Sequence, residues 1–424
     1  MFKKIFLLIA ISSIISYAGW EKLSSNTSEW LTDVFFVNDL YGFSVGTNGA
    51  IVKTTDGGDS WINISIQSTE WLAGVYFLNK DKGFIVGSNG ILVSTVDGGT
   101  SWTSQYLPYY VNFHAIFFTD DMNGWIAGGI SDGNGVILKT TDGGNNWLPV
   151  INGYNMEFTG IGFKSDSTRS TGLFVSRESV LLKSTDSGYS WAQNTISYNV
   201  LESVTFAGND IWVTGDHGTL LKSNNDGQTW HIFIPISQDH LFKAKFLDNN
   251  YGIVVGGYGT GYFSESSIIL LTKDGGLTWN ITQNQEWQKL YSVSVPSKSR
   301  AYAVGYNGTI VRYNPETGDN NKVTKVINEK IPANFELLQN YPNPFNPTTA
   351  IQFAIPKPSN VRINIYDIMG RLVKELINEQ KNTGIYSIIW NGKDKSGSSL
   401  ASGTYFYNIQ AGSFIQTKKM ILLK

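Results

Sequence analysis

The sequence predicts an all-β protein in which a seven-bladed β-propeller is followed by a small Ig-like β-sandwich. Three observations predict this fold. A short motif recurs six times, an incomplete seventh unit finds its missing strand at the N-terminus, and the C-terminal region has alternating strands and a composition of its own. A period of roughly 40–50 residues, built from short strands and Gly-rich turns, is typical of one propeller blade per repeat.

The recurring motif, called the box here, is Ser or Thr, a spacer, Asp, a spacer, Gly, two spacers and Trp. Successive Trp residues of the box are 41, 45, 44, 39 and 49 residues apart. The carboxylate can accept hydrogen bonds from backbone N–H groups a few residues on, and Asn can accept the same bonds. One carboxylate per loop falls well short of the roughly six to eight oxygens that calcium prefers, so we interpret the boxes as structural turns. The residues at the acidic position are Asp56, Asp97, Asp142, Asp186, Asn225 and Asp274.

Each box belongs to a unit of four short strands. In the first copy these strands are expected at residues 34–36, 41–46, 50–53 and 61–64. The Asn-Gly and Asp-Gly pairs between them are typical of hairpin turns.

The seventh unit has three predicted strands and no box. Residues 19–23 have the pattern of a strand that follows a box, and Trp20 lies 41 residues before Trp61. We therefore expect the N-terminal strand to complete blade seven. Closure of the ring removes the exposed sheet edges that an open array would present.

The two ends of the chain differ from the repeats. Residues 1–18 are predicted to be a cleaved signal peptide, with Lys3 and Lys4 before an apolar stretch and Ala18 at its end. The alternative is a membrane anchor, but the stretch is short for a bilayer span, and we expect no membrane span after cleavage. The propeller is predicted at 19–314, a polar linker at 315–333 and the sandwich at 334–424.

Charge and cysteine content limit the function classes. The net charge of the chain is −2, and residues 19–314 alone carry −9. A negative propeller argues against binding to nucleic acid or to an anionic membrane. The chain has no Cys, which excludes disulfides and thiol chemistry.

The C-terminal region resembles the sorting domain of type IX secretion. The matching motifs are Asn334-Phe335, the Pro-rich run 341–347, the turn 370–373, the segment 390–394, Gly403-Thr404-Tyr405 and the basic-apolar end 418–424. The resemblance implies export across both membranes, the type IX machinery as a partner, and a protein that is released or held on the cell surface. An ordinary Ig-like adhesion module is the alternative.

The repeats resemble the Asp-box superfamily, and most of all the photosystem II assembly and stability factor propellers. The same repeat occurs in sialidases and in xyloglucan-type glycosidases. The resemblance implies that the boxes lie on the rim opposite the usual active site. Ligands would then meet the loops that enter each first strand and those that join strands two and three, which together are called the loop face here. The resemblance implies the fold of the propeller. It does not extend to a photosystem pathway, which fits poorly with the sorting tail.

The residue types available on the loop face limit the catalytic alternatives. A sialidase needs three converging Arg, and of the four Arg in the propeller only Arg177 is expected on the loop face; Arg169 and Arg300 are expected on the opposite face and Arg312 in a strand. A glycosidase needs two acids roughly 5–10 Å apart. The acids expected on the loop face are Asp33, Glu157, Glu178, Glu202, Asp216 and Asp239. Glu202 is the best single candidate because it starts an inner strand, where its expected neighbours are Thr159 and Phe242; a solvated acidic rim is the alternative.

A metal site or cofactor is not predicted. His114, His217 and His240 are expected on the loop face but on blades three, five and six, and His231 follows a box Trp. A metal ion needs at least three converging ligands.

Aromatic residues favour a binding surface instead. Trp30 and Trp71 precede the first strands of blades one and two, Trp287 lies nearby in blade seven, and Tyr109 and Tyr110 lie in blade three. Exposed rings on adjacent blades suit stacking on a sugar or an extended peptide, unless they cap the core between blades. The predicted function is non-catalytic binding of an extracellular protein or polysaccharide, with a secreted glycoside hydrolase as the alternative. The candidate ligand-binding residues are Trp30, Trp71, His114, Glu202, Trp287 and Tyr291.

Overall fold

The computed structural model describes residues 16–17, 19–130, 133–164, 170–197, 199–233, 239–258, 266–284, 288–315, 325–328 and 332–423. The predicted signal peptide therefore lies almost entirely outside the described residues, as do Trp287 and Arg169. Within these ranges the chain forms 37 β-strands and three short 3-10 turns, at Thr47–Gly49, Ser88–Gly90 and Tyr306–Gly308.

The chain opens with β1 (Ser16–Tyr17) and β2 (Trp20–Leu23). Blade one contains β3 (Leu31–Phe36), β4 (Gly42–Gly46), β5 (Ile51–Thr54) and β6 (Ile62–Asn63). Blade two contains β7 (Leu72–Phe77), β8 (Gly83–Gly87), β9 (Ile91–Thr95) and β10 (Thr103–Tyr106). Blade three contains β11 (Asn112–Phe118), β12 (Gly124–Gly129), β13 (Gly135–Thr140) and β14 (Leu148–Tyr154).

Blade four contains β15 (Phe158–Phe163), β16 (Gly172–Ser176), β17 (Val180–Ser184) and β18 (Ala192–Thr195). Blade five contains β19 (Leu201–Ala207), β20 (Asp210–Gly215), β21 (Leu220–Ser223) and β22 (Thr229–Ile232). Blade six contains β23 (His240–Phe246), β24 (Gly252–Tyr258), β25 (Ser266–Thr272) and β26 (Thr278–Asn284). Blade seven contains β27 (Leu290–Ser297), β28 (Arg300–Gly305) and β29 (Ile310–Tyr313).

The N-terminal strand completes blade seven, as predicted. β2 pairs antiparallel with β29, so that Trp20 lies opposite Tyr313 and Leu23 opposite Ile310. The first and last parts of the propeller thus share one sheet, which closes the ring. The seven-bladed all-β fold is confirmed.

Aromatic rings fill the space between neighbouring blades. Phe43 of blade one stacks on Phe77 of blade two at a centroid distance of 3.8 Å, and Trp212 of blade five stacks on Phe246 of blade six at 4.8 Å. Such ring pairs contribute roughly 0.5–1.5 kcal/mol beyond their buried area. The Gly that opens β4 makes room for a ring, since a Cβ at Gly42 would lie 2.5 Å from Phe36.

The boxes are hydrogen-bonded turns. In the first box, Thr54 Oγ1 donates to Asp56 Oδ1 at 2.8 Å and accepts from the Gly58 N–H at 2.8 Å, and the Ser60 N–H donates to Asp56 Oδ1 at 3.0 Å. The bonds from Ser60 lower the pKa of Asp56 to about 2. In the fifth box, Asn225 Oδ1 accepts from the Thr229 N–H at 2.9 Å in the same way.

A basic residue links each of five blades to the next one, a feature that the sequence analysis missed. In four of these blades it stands just before the box, while blade seven, which has no box, uses Arg312. In each case the side chain comes from the third strand and donates to a backbone carbonyl in the box of the neighbouring blade. The pairs are Lys53 with Gly98, Lys139 with Ser187, Lys183 with Asp226, Lys222 with Gly275 and Arg312 with Gly57.

The C-terminal region is a sandwich of two antiparallel sheets. Its strands are β31 (Glu336–Leu337), β32 (Thr349–Ile355), β33 (Ser359–Tyr366), β34 (Leu372–Lys381), β35 (Gly384–Trp390), β36 (Gly403–Ala411) and β37 (Phe414–Leu422). The sheet orders are β31-β32-β35 and β34-β33-β36-β37, and Trp390 and Tyr407 are buried between them. β34 was not predicted because it is an edge strand with charged residues in place of an apolar alternation.

Two segments of the C-terminal part add strands to the propeller. β30 (Lys325–Asn328) pairs with the outer strand of blade six, so the segment predicted as linker contains a strand and is not irregular throughout. β35 pairs with the outer strand of blade five, where Thr229 lies opposite Ile388. The exposed edge of an outer strand can pair with a short extended segment from elsewhere in the chain. Local composition does not reveal such a pairing.

Candidate functional site

Every innermost strand of the propeller has a β-bulge at the same position. The antiparallel register shifts by one residue in each blade, and the shift leaves seven residues unpaired: Thr32, Ala73, His114, Thr159, Glu202, Phe242 and Tyr291. A bulge re-aims its side chain and is frequent next to functional sites. All seven residues, called the bulge ring here, line one cavity of about 1340 Å³ at the centre of the propeller.

In six of the seven blades a glycine in the second strand, opposite the residue before the bulge, leaves room for it; blade four has Ser176 there. A Cβ at Gly46 would lie 1.9 Å from the carbonyl oxygen of Trp30, and a Cβ at Gly305 would lie 1.9 Å from that of Lys289. The repeated Gly after the second strand is therefore the sequence signal that could have located the bulge ring.

Glu157 forms the most connected polar group on the loop face. Its Oε1 lies 2.8 Å from His114 Nε2, its Oε2 lies 3.1 Å from Arg177 Nε, and its N–H donates to Glu178 Oε2 at 3.0 Å. Burial raises the pKa of Glu157, but the hydrogen bond from His114 and the charge of Arg177 outweigh burial and lower it. Glu157 is thus a fixed carboxylate whose two oxygens are both engaged.

Glu202 lies near Glu157, but the environment of its carboxyl is the opposite of that of Glu157. In the described part of the chain its carboxyl makes no hydrogen bond or ion pair, although it faces the cavity. Burial raises its pKa to about 7; Arg177 acts against this shift, and Asp216 and Glu157 add to it. As predicted, its neighbours on the bulge ring are Thr159 and Phe242.

Asp216 and two histidines lie beside Glu202. Asp216 Oδ1 is buried without a hydrogen-bond partner in the described residues, and its Oδ2 lies 3.4 Å from His217 Nδ1. Burial lowers the pKa of His240, whose ring stacks on Phe242 at 5.8 Å. Over the ranges that the structure describes, no three His, Cys, Asp or Glu side chains converge as a metal site would require.

Three of the predicted loop-face acids do not form a solvated rim. Asp33, Glu157 and Asp239 are all buried. Asp33 follows the bulge at Thr32 and points into the central cavity, where it pairs with Lys243 and accepts from Ser292 Oγ at 2.6 Å. Asp33, which was expected on the loop face, thus lines the same cavity as Glu202 but is buried and paired within the fold.

Trp30, Trp71 and Tyr291 lie at the mouth of the cavity, whereas Tyr109 and Tyr110 do not line it and Tyr110 is exposed. Trp30 packs on Tyr306 at 4.6 Å, and Trp71, which is 36% exposed, meets His114 edge-on at 5.9 Å. Tyr291 packs on Phe242 at 5.2 Å, and burial raises its pKa to about 12. Trp30 and Trp71 line the cavity rather than the buried core between blades, while Trp287 lies outside the described residues.

The arginines do not converge on the loop face. Arg300 and Arg312 both donate to the Gly57 carbonyl in the first box, at 3.3 and 2.8 Å, which places them at the box rim. Among the residues that line the described cavity, Arg177 is the single arginine.

The comparison with protein families agrees with this architecture. Residues 12–104, 59–152 and 150–241 match the model for the photosynthesis system II assembly factor YCF48, and together the three matches extend over more than half of the chain. The chain belongs to this family. Residues 339–423 match the secretion system C-terminal sorting domain, which directs export through the type IX system to the cell surface or beyond.

Solved structures share the propeller of this YCF48-family chain. A structure described as YCF48 bound to D1 peptide is 22% identical, with a TM-score of 0.56, and covers 71% of this chain and 99% of its own. YCF48 from Cyanidioschyzon merolae is 18% identical, with a TM-score of 0.56 and coverages of 70% and 99%. The WD40 propeller domain of Doa1 is 13% identical, with a TM-score of 0.53 and coverages of 69% and 97%. At these identities the likeness shows the fold.

No curated protein matches the chain significantly. Among the described residues, no helix has the length and hydropathy needed to cross a bilayer.

Proposed function

We propose that this exported protein is a non-catalytic binding module that holds an extended segment of a protein partner on the loop face. The observation that carries the proposal is the bulge ring, which places an uncommitted carboxyl among aromatic side chains at the mouth of a large cavity. Such a concave site with a few convergent polar groups is the usual form of a binding site. The family member solved with a D1 peptide supports a peptide rather than a polysaccharide as the ligand class.

The aromatic mouth suits an extended chain. Trp30, Trp71 and Tyr291 lie on blades one, two and seven, which are consecutive around the closed ring. Large rings add contact area at a small cost in side-chain entropy, and Trp and Tyr commonly dominate binding energy. A peptide crossing these blades would pass over the mouth of the cavity.

A glycoside hydrolase is the second candidate, because two neighbouring carboxyls have pKa values shifted in opposite directions. The pKa of Glu202 is raised to about 7 and that of Glu157 is lowered, as expected of a general acid and its partner. His114 and Arg177 bond both oxygens of Glu157, however, which makes this carboxylate a weaker nucleophile and a weaker base. This occupancy favours binding over hydrolysis.

The test is a binding screen on the full exported chain. Peptide arrays and glycan arrays are probed in parallel, and release of reducing sugar is measured for every glycan that binds. We expect peptide binding, no sugar release, and at least tenfold weaker binding for Trp71→Ala. Tyr189→Ala removes an exposed ring on the box rim and serves as the matched control.

Thermal unfolding of each variant separates loss of binding from loss of fold. If Trp71→Ala unfolds, the ring is part of the core and the proposed surface is wrong. Sugar release that disappears in Glu202→Gln would establish the hydrolase instead.

A further inference from the structure

Glu202 is the acidic member of the bulge ring, and its carboxyl has no hydrogen-bond or ion-pair partner among the described residues. Two other polar members of the ring are used within the fold: Thr159 Oγ1 donates to the Leu201 carbonyl at 2.8 Å, and His114 bonds Glu157. The Glu202 carboxyl makes no such bond and faces the cavity. A buried or half-buried carboxyl without a partner is unfavourable unless something from outside completes it.

The surroundings of Glu202 select for positive charge. Asp216 and Glu157 act on Glu202 as negative charges, against the opposing charge of Arg177. The next ring member is Phe242, with the Tyr291 ring against it at 5.2 Å and the His240 ring stacked on it at 5.8 Å. A carboxylate beside aromatic faces is the combination that binds ammonium and guanidinium groups, through an ion pair and cation–π attraction.

The nearby cations of the protein have other partners. Arg177 is held by Glu157 at 3.1 Å, and Lys243 is paired with Asp33. Burial lowers the pKa of His240, which disfavours the charged form of that ring. Lys289 also lines the cavity, and burial lowers its pKa too. Arg177 still acts on Glu202, but its guanidinium is bound to Glu157, so among the described residues no cation is paired with the Glu202 carboxyl.

We propose that Glu202 anchors a basic side chain, Lys or Arg, of the protein segment that lies on the loop face. The inference rests on the proposed function and adds the class of residue that is recognised. The cationic group enters the mouth of the cavity and pairs with Glu202, while its aliphatic stem packs on Phe242. Asp216 adds its negative charge to that of Glu202, and its Oδ1 is buried without a hydrogen bond in the described residues.

The first experiment uses pools of 12-residue peptides, each pool with one residue fixed at the centre and the rest random. The full exported chain is tested against pools fixed as Lys, Arg, norleucine, citrulline, Glu and Ala. We expect the Lys and Arg pools to bind at least tenfold more strongly than the norleucine and citrulline pools, which match their shapes without charge. Glu202→Gln should abolish this preference, whereas Asp97→Asn at the box rim should keep it.

Two failures are distinguishable in this experiment. Peptide binding with no preference for Lys or Arg, or a preference that survives in Glu202→Gln, overturns the anchor and leaves the proposed function standing. If no pool binds the protein at all, the proposed function fails and the anchor fails with it.

A second readout is proton release, which a merely structural Glu202 would not produce. Burial raises the pKa of Glu202 to about 7, and a bound cation favours its ionised form. Calorimetry of the best Lys peptide in buffers of different ionisation heat should show release of about half a proton at pH 7 and almost none at pH 8.5. His217, His240, Asp216, Glu157, Arg177 and Lys289 also face this region, so Glu202→Gln is the reference that isolates the carboxyl. Equal proton release in wild type and variant would contradict the anchor.

Discussion

The box rim and the mouth of the cavity use the same functional group in opposite ways. At the rim, Ser60 and Thr54 bond the carboxylate of Asp56 and lower its pKa to about 2. At the mouth, Glu202 has no partner in the described residues, and burial raises its pKa to about 7. The box carboxylate, which recurs along the chain, is hydrogen-bonded, whereas the Glu202 carboxyl, which occurs once in the bulge ring, has no partner among the described residues. Repetition in this chain therefore marks stability, and departure from the repeat marks the candidate site.

The two regions also differ in how they join the blades. At the rim, Lys139 and Lys222 donate to box carbonyls of the next blade at 3.0 and 2.9 Å. At the mouth, neighbouring bulge residues differ in chemistry from blade to blade, as Thr159, Glu202 and Phe242 do. The box rim thus repeats nearly equivalent hydrogen bonds between blades, whereas the mouth of the cavity presents a different side chain on each blade.

The largest effect should come from a box glycine. Gly276→Ala places a Cβ 2.2 Å from the Trp212 ring at a φ of +87°, and we expect a loss of roughly 3 kcal/mol in the free energy of unfolding, measured by urea titration. Gly153→Ala is the control, because its φ is +79° but no atom lies within 4 Å; it should cost about 1 kcal/mol. Equal losses would show that the ring contact does not decide the effect.

The next effect should come from Glu202 and depend on pH. Because the folded pKa of about 7 lies above the ordinary 4.5, the contribution of Glu202 to stability is greatest below pH 4.5 and falls as pH rises through 7. Glu202→Gln should therefore match the wild type near pH 4 and exceed it by roughly 1–3 kcal/mol at pH 8. Urea titrations at both pH values measure this, and a constant difference between the two proteins would contradict the raised pKa.

A smaller effect is expected for the lysine that links blades five and six. Lys222→Met keeps the stem over the Trp212 ring but removes the bonds to the Gly275 carbonyl and to Asp210, each 2.9 Å long. We expect a loss of about 1 kcal/mol, seen as a lower urea midpoint. Lys80→Met removes only an exposed pair with Asp81 and should change the midpoint little. If both variants behave alike, the links at the box rim add no stability.

The smallest effect is expected for a box carboxylate. Bonds from Ser101 lower the pKa of Asp97 from 3.8 to about 2, so the stability it contributes is present above pH 3.8 and is lost as pH falls through 2. Asp97→Asn should differ little from the wild type at pH 7, since Asn225 already serves in the fifth box, and should flatten the acid side of the melting curve between pH 4 and 2. An unchanged acid transition would argue against the bonded carboxylate.

Much of the fold could be predicted because it depends on local repetition. The spacing of the boxes, the turn glycines and the distance from Trp20 to Trp61 predict the blades and the closure of the ring. Even the neighbours of Glu202 followed from the equivalence of the inner strands. β30 and β34 were missed, since a charged or isolated edge strand has no periodic signal.

The sequence by itself determined the seven blades, the boxes, the sandwich and the position of Glu202 at the start of an inner strand. Only the tertiary structure decided which of these side chains are satisfied. His114 and Glu157 are 43 residues apart, and Asp33 and Lys243 are 210 apart. In each pair the two side chains bind each other and are therefore not available to a ligand. Periodicity acts within one blade, whereas these partners come from different blades, so the local sequence does not show that Glu202 has no partner among the described residues.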